Sequence, residues 1–233
     1  GVDWGFDALH HHELSHEWWG NMVTNADWKD MWIHEGFGTY MQALYVEDRQ
    51  GIDRYHDYMN SFSHRIGNRK PVAPRETTSA QEIYDGHDIY FKGAWVLHSL
   101  RYLIGEDALM LALRRMAYPT PEAWRASDGS QVRFADTGEF VSITEEVSGE
   151  ELSWFFDVYV HEAELPSLEL TRAEGELRLQ WSAPDDLPFP MPVDVRIDGN
   201  TRRVEMANGR AVVQVPAGAE VVVDPDQWIL RSR

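Results

Sequence analysis

The 233-residue sequence contains no cysteine, which excludes disulfides and thiolate metal ligands. It has no apolar run long enough to cross a bilayer as a helix, no internal repeat and no low-complexity tract. Positive charge is scarce: 21 Lys and Arg stand against 39 Asp and Glu, a formal net charge of −18. That balance argues against nucleic acid or an anionic membrane surface as a partner, and fits a well-solvated exterior. What is present suffices for a sizeable core. Hydrophobic residues make up 43% and aromatics 12%, enough for one large domain or two smaller ones.

The densest chemistry lies in HHELSHEWWGN, His11 to Asn21. Within it, His12-Glu13-Leu14-Ser15-His16 is an H-E-x-x-H motif. On a helix, residues i and i+4 share one face about one turn apart, so the two imidazoles can grip a single metal ion. Glu13 projects beside that face, placed to take a proton from water without ligating the metal. A catalytic zinc usually takes three protein ligands plus water. Glu35 in WIHEGFGTY, with eighteen residues between it and His16, offers the third. The bland alternative is an exposed polar helix carrying histidines by chance, at roughly a few per cent for such a chain. Against it stand the helical context and the bulky residues Trp18, Trp19, Trp28, Trp32 and Phe37, which would keep the site dry.

Along the chain, Asp7 is the expected N-cap of a first helix that fades near Gly20-Asn21. Asp30 is expected to cap a second helix running to about Asp48. Gly36 and Gly38 would weaken that helix by up to about 1 kcal/mol each relative to Ala, or allow close approach of another helix or of substrate. Further helices are expected over 52–65, 89–103, 107–116, from Thr137 as N-cap to 148, and over 152–160. A short helical turn is expected at 80–84, after an extended Pro71-Val72-Ala73-Pro74 segment. Glu164-Leu165-Pro166 marks the expected domain boundary. Beyond it the pattern alternates: Leu168 and Leu170; Leu177, Leu179 and Trp181; Val193, Val195 and Ile197; Val213 and Val215; Val221 and Val223. Turns at Asp198-Gly199-Asn200 and Asn208-Gly209 separate these runs. The fold class is therefore multidomain α and β: a mainly α-helical lobe over 1–164 and a small β-sandwich over 165–233.

HELSHEWWGNMVT followed by DWKDMWIHEGFGTY resembles the zinc aminopeptidases of the aminopeptidase N group, which are gluzincins. Their pattern is H-E-x-x-H, eighteen residues, then E, with W-x-G-N after the second histidine and E-G-F after the spacer. Tyr90-Phe91-Lys92-Gly93 resembles the same family's Y-x-K-G segment, and the likeness extends through WFFDVYV. The resemblance implies a thermolysin-like catalytic lobe and one Zn2+ held by His12, His16 and Glu35. It also implies Glu13 as general base, Tyr90 as a stabiliser of the transition state, and release of N-terminal residues from peptide substrates.

Two departures stand out. His34 occupies a position where many relatives carry Asn. The family's G-x-M-E-N segment, whose glutamate holds the substrate amine, has no counterpart in the sequence. The chain is accordingly expected to be the C-terminal part of a longer enzyme, with the preceding β domain of the same polypeptide as its partner. Rival expectations are an endopeptidase of the wider zincin class and a non-catalytic binding or scaffold chain with a relict metal site. Lys92 is expected as a surface or local structural cation, Glu17 as a solvated residue, and His10, His11, His87 and His98 have no assigned role.

Overall fold

The side chain of Asp7 accepts the amide of His10 at 3.0 Å, satisfying a donor that a helix start leaves free. A computed structural model describes residues 3–232, beginning with this capped helix α1 (Ala8–Ser15). α1 ends sooner than the sequence suggests. The amides of Asn21, Met22 and Val23 reach back to the carbonyls of His16, Glu17 and Trp18, wide turns that feed a short strand β1 (Val23–Asn25). A 3-10 turn at Trp28–Asp30 leads into α2 (Trp32–Gln50), followed by α3 (Ile52–Ser61). Next come α4 (Ala80–Ile83), the long α5 (Asp88–Ile104) and α6 (Glu106–Ala117). The helical part closes with α7 (Pro121–Arg125), strand β2 (Arg133–Ala135), α8 (Thr137–Ser148) and α9 (Ser153–Phe156), which widens into a π turn at Asp157–His161.

α2 is the central element. Trp32, Ile33, Phe37, Tyr40, Ala43 and Val46 are fully buried around it, the pattern of a helix surrounded by protein on most sides. α5 crosses it at a pair of glycines. A Cβ on Gly36 would sit 2.9 Å from Gly93 Cα and 2.9 Å from the Ile89 carbonyl oxygen. Of the two readings open for Gly36, close helix approach is the one found.

Two expected caps are corrected. Asp30 does not cap α2, whose N-cap residue Met31 offers no side-chain bond. Its Oδ1 instead accepts the Thr137 amide at 3.0 Å and the Thr137 hydroxyl at 2.6 Å. Thr137 in turn accepts the indole N–H of Trp32 at 2.9 Å. This buried knot joins the starts of α2 and α8, while Asp136 is the residue that caps α8. β1 and β2 pair in parallel, Val23 opposite Arg133. Three-residue strands carry no readable period, so the sequence showed neither.

After residue 166 the described chain is all strand and turn. β3 (Ser167–Ala173), β4 (Glu176–Ser182) and β7 (Arg210–Gln214) form one antiparallel sheet; β6 (Asn200–Val204), β5 (Val193–Ile197) and β8 (Val221–Val223) form another. Asp198 and Gly199 both adopt positive φ, 47° and 83°, making the tight turn of the β5–β6 hairpin. Leu177, Leu179, Trp181, Val193, Val195, Val213 and Val215 are buried as their alternation requires. Leu170 is 46% exposed instead, because β3 is an edge strand paired on one side only. The last stretch returns to the helices: Ser99 Oγ donates to the Trp228 carbonyl at 2.9 Å, and Tyr159 OH to that of Leu230 at 2.7 Å.

Overpacking a helix crossing typically costs about 1–3 kcal/mol. Gly36→Ala is expected to lower unfolding free energy by at least that order in urea titrations, because its Cβ meets backbone rather than a movable side-chain tip.

Candidate metal centre

α1 and α2 deliver three donor side chains to one point. His12 and Glu35 are 8% and 7% exposed, and His16 stands at the α1 C-cap, half-buried. Nε2 of His12 lies 3.0 Å from Oε2 of Glu35, and Nε2 of His16 lies 3.6 Å from the same oxygen. One ligand atom from each of the three residues lies within 4.8 Å of the others. Among the described residues, this is the group of His, Asp and Glu side chains arranged to hold a metal ion.

Each donor is oriented by its surroundings. His16 directs Nδ1 at the Trp19 carbonyl, 2.9 Å away. With its proton on Nδ1, the ring turns the Nε2 lone pair toward Glu35. Trp19 is buried against Phe37 at a ring separation of 5.0 Å, which holds that carbonyl in place. His12 leans on Gly38, where a Cβ would come within 2.7 Å of Ser15 Oγ and 3.1 Å of His12 Cε1. Gly38 thus serves as the floor under α1.

Burial opposes ionisation of Glu35, yet hydrogen bonds from His12 and Tyr84 hold its carboxyl below the usual range. Tyr84 OH donates to Oε1 of Glu35 at 3.0 Å. Tyr84 was not singled out in the sequence. It lies outside every motif, and only its place just after a capped short helix could have flagged it.

Glu13 is exposed on α1. Tyr90, in the first turn of α5, is half-buried with its ring 5.9 Å from that of His12. Burial, then the carboxylates of Glu35 and Glu13, push its ionisation upward, so the phenol keeps its proton and stays a donor. His34 does not join the group. Its Nε2 accepts the Asn25 amide at 2.9 Å, and burial, aided by His16, lowers its pKa to about 4. A neutral imidazole therefore ties α2 to β1.

Lys92 is not a surface cation. It is fully buried, and its ammonium donates to the carbonyls of Glu162 and Ala163, both at 2.8 Å. It locks α5 to the segment after the π turn. His98 is a core residue between Tyr55 OH, 2.7 Å from its Nδ1, and the Gln227 carbonyl, 3.1 Å from its Nε2.

Imidazoles from α1 and its C-cap, a carboxylate from α2 and the neighbouring Glu13 make a donor set of the kind hydrolytic metal sites use. The Peptidase family M1 domain matches residues 7–159, and the chain belongs to that family. A 104-residue stretch is 35% identical to endoplasmic reticulum aminopeptidase 2 of Homo sapiens, covering 41% of this chain and 11% of that protein. The fold superposes on Legionella pneumophila aminopeptidase A, solved with aspartic acid, at a TM-score of 0.69 and 16% identity, over 95% of this chain and 26% of that one. A mutant M1 zinc metallopeptidase of Deinococcus radiodurans, bound to a Tyr-Ser-Ala substrate, matches at a TM-score of 0.56 and 28% identity, covering 70% of this chain and 34% of that one. The chain thus spans 11%, 26% and 34% of these three proteins.

The buried lysine has a measurable signature. Burial pushes Lys92 down from 10.5 to about 8. Between those values the unfolded chain binds the proton and the folded chain does not, so stability rises with pH there, by up to about 1.4 kcal/mol per unit. Urea titrations between pH 8 and 9.5 are expected to show this rise in the wild type and its loss in Lys92→Met.

Proposed function

We propose that this chain carries the catalytic centre of a zinc aminopeptidase, which removes N-terminal residues from peptides. The observation that supports it most is the convergence of His12, His16 and Glu35, their ligand atoms within 4.8 Å of one another, beside Glu13 in a chain of the M1 family. The donor set suits zinc: two imidazoles presenting Nε2, and one carboxylate already ionised. Zinc held there would lower the pKa of water to about 7 and polarise a peptide carbonyl.

The chain's own residues supply the rest. Glu13, exposed on α1 and adjacent to His12, takes the proton of the attacking water and passes it to the leaving amine. Tyr90, kept protonated by burial and neighbouring carboxylates, donates its hydroxyl proton to the oxygen on which negative charge develops. Residues 1–164 are read as a thermolysin-like catalytic lobe and 165–233 as a β-sandwich domain packed behind α5.

Zinc content separates ligands from base. Near one zinc per chain is expected in the wild type and in Glu13→Ala, with marked loss in Glu35→Ala, measured by atomic absorption after gel filtration. An equal content in Glu35→Ala would remove it from the ligand set. Tyr90→Phe is expected to retain zinc while turnover of aminoacyl amides falls about a hundred- to a thousandfold. Acetylated peptides are expected to resist hydrolysis; their cleavage would point to an endopeptidase.

A further inference from the structure

The two oxygens of Glu35 do different things. Oε2 faces Nε2 of His12 at 3.0 Å and Nε2 of His16 at 3.6 Å, while Oε1 accepts the Tyr84 hydroxyl at 3.0 Å. We propose that Tyr84 is a positioning residue that makes Glu35 a one-oxygen metal ligand. The inference rests on the reading of His12, His16 and Glu35 as zinc ligands.

The physical argument starts from the freedom of a carboxylate. The terminal torsion of a glutamate is broad and roughly two-fold, so a bare carboxylate can offer either oxygen, or both, to a cation. A second oxygen on the metal would fill the position a hydrolytic site must keep for water. A hydrogen bond to one oxygen breaks that symmetry. Tyr84 is well suited to it, because its hydroxyl already points at Oε1 from 3.0 Å and a phenol O–H facing a carboxylate donates to it.

Tyr84 is also held in place by a strap. It is the C-cap of α4, which a reciprocal Ser79–Glu82 capping box closes with two 3.2 Å bonds. Lys70 Nζ donates to the Glu82 carbonyl at 3.2 Å and to Asp85 at 2.9 Å, on either side of the tyrosine. The strap's ends are tied where the Gly67 amide meets Asp88 Oδ1 at 2.6 Å. Its middle is tied to the turn before α2 by Thr77 Oγ1 donating to Asp27 Oδ2 at 2.6 Å. The ring itself is 40% exposed and adds little to the core. A residue held so firmly yet buried so little owes its place to the hydroxyl contact.

The two tyrosines then divide the work. Tyr90 comes from α5, its ring centroid 6.5 Å from that of Tyr84; its hydroxyl also interacts with Glu35, but in the proposed mechanism it serves substrate. Tyr84 serves the ligand.

The test compares zinc affinity in wild type, Tyr84→Phe and Tyr90→Phe by competition with a chromophoric chelator, together with the visible spectrum of the cobalt-substituted chain. Groups that orient a metal ligand typically contribute about 10–100-fold in affinity. Tyr84→Phe is expected to bind zinc weaker by that factor, at an unchanged melting temperature without metal, while Tyr90→Phe keeps wild-type affinity. Its cobalt band is expected to weaken as the second carboxylate oxygen joins the ion. Wild-type affinity and an unaltered cobalt spectrum in Tyr84→Phe would overturn the inference and leave the ligand set standing. A loss of affinity accompanied by an equal drop in metal-free stability would also overturn it, by marking a merely structural role. A wild-type chain that binds no zinc would overturn the ligand reading and this inference together.

Discussion

The close crossing of α2 on α5, glycine against glycine, is the constraint on which the site depends. Gly36 follows Glu35 directly, and Gly93 lies three residues after Tyr90 on the same helix. Backbones that approach this closely bring the carboxylate and the phenol to one spot without long side chains to span the gap. Gly38, one turn-fraction further along α2, does the same for α1 by leaving room for His12 and Ser15. The geometry of the His12, His16 and Glu35 cluster is therefore written into three absent methyl groups as much as into the polar residues themselves. That explains how a 19-residue central helix tolerates two glycines that weaken it locally.

The electrostatics follow from the same burial. A carboxylate withdrawn from water is costly unless paired and hydrogen-bonded, and Glu35 meets that demand through its hydrogen bonds with His12 and Tyr84. Metal ligands must be deprotonated, so a cation held here would take the place of the proton that His12 and Oε2 share across 3.0 Å. His34 is the contrasting case. It sits beside Glu35 in sequence, yet it is held neutral by burial and spent on the Asn25 amide. Successive residues on a helix are turned about 100° from one another, so His34 and Glu35 face different neighbours, and the face decides which histidine joins the site.

The residues of the site were legible in the sequence because their chemistry demands fixed spacing. His12, Glu13 and His16 sit at helical intervals, and Glu35 and Tyr90 fall within motifs whose residue types are restricted. The long helices α2 and α5 were legible for the related reason that burial imposes a period. Tyr84 was not, since its contact crosses 49 positions and depends on a strap whose path no local pattern specifies. Lys92 reads as a surface or a local structural cation; the structural role is the one found, and its burial was missed for the opposite reason. Lysine is seldom buried, and only the carbonyls of Glu162 and Ala163, 70 and 71 residues away, make its burial tolerable. Asp30 had the right residue type for a helix cap, but the hydroxyl and amide of Thr137 compete for the same oxygen and win. In the strand-rich part, alternation identified the buried faces and failed at Leu170, where an edge strand lacks a second neighbour.

Several of these features run against stability taken alone: a buried ammonium, a buried carboxylate, and glycines in the middle of the central helix. Local rules that fail at one place in a fold, while holding elsewhere, mark that place as functional. Here the exceptions cluster. Lys92 lies between Tyr90 and the Gly93 contact, and its bonds to the segment after the π turn anchor the first turns of α5 from behind. Gly36 and Gly38 follow Glu35 within the same turn of α2. A mobile α5 would let Tyr90 drift from His12 and Glu35, and in a catalytic group an error of about one ångström can forfeit much of the effect. The buried lysine is thus best understood as the rear anchor of the same site, accepting a cost in burial so that the phenol on the other face of the helix stays in register with Glu35.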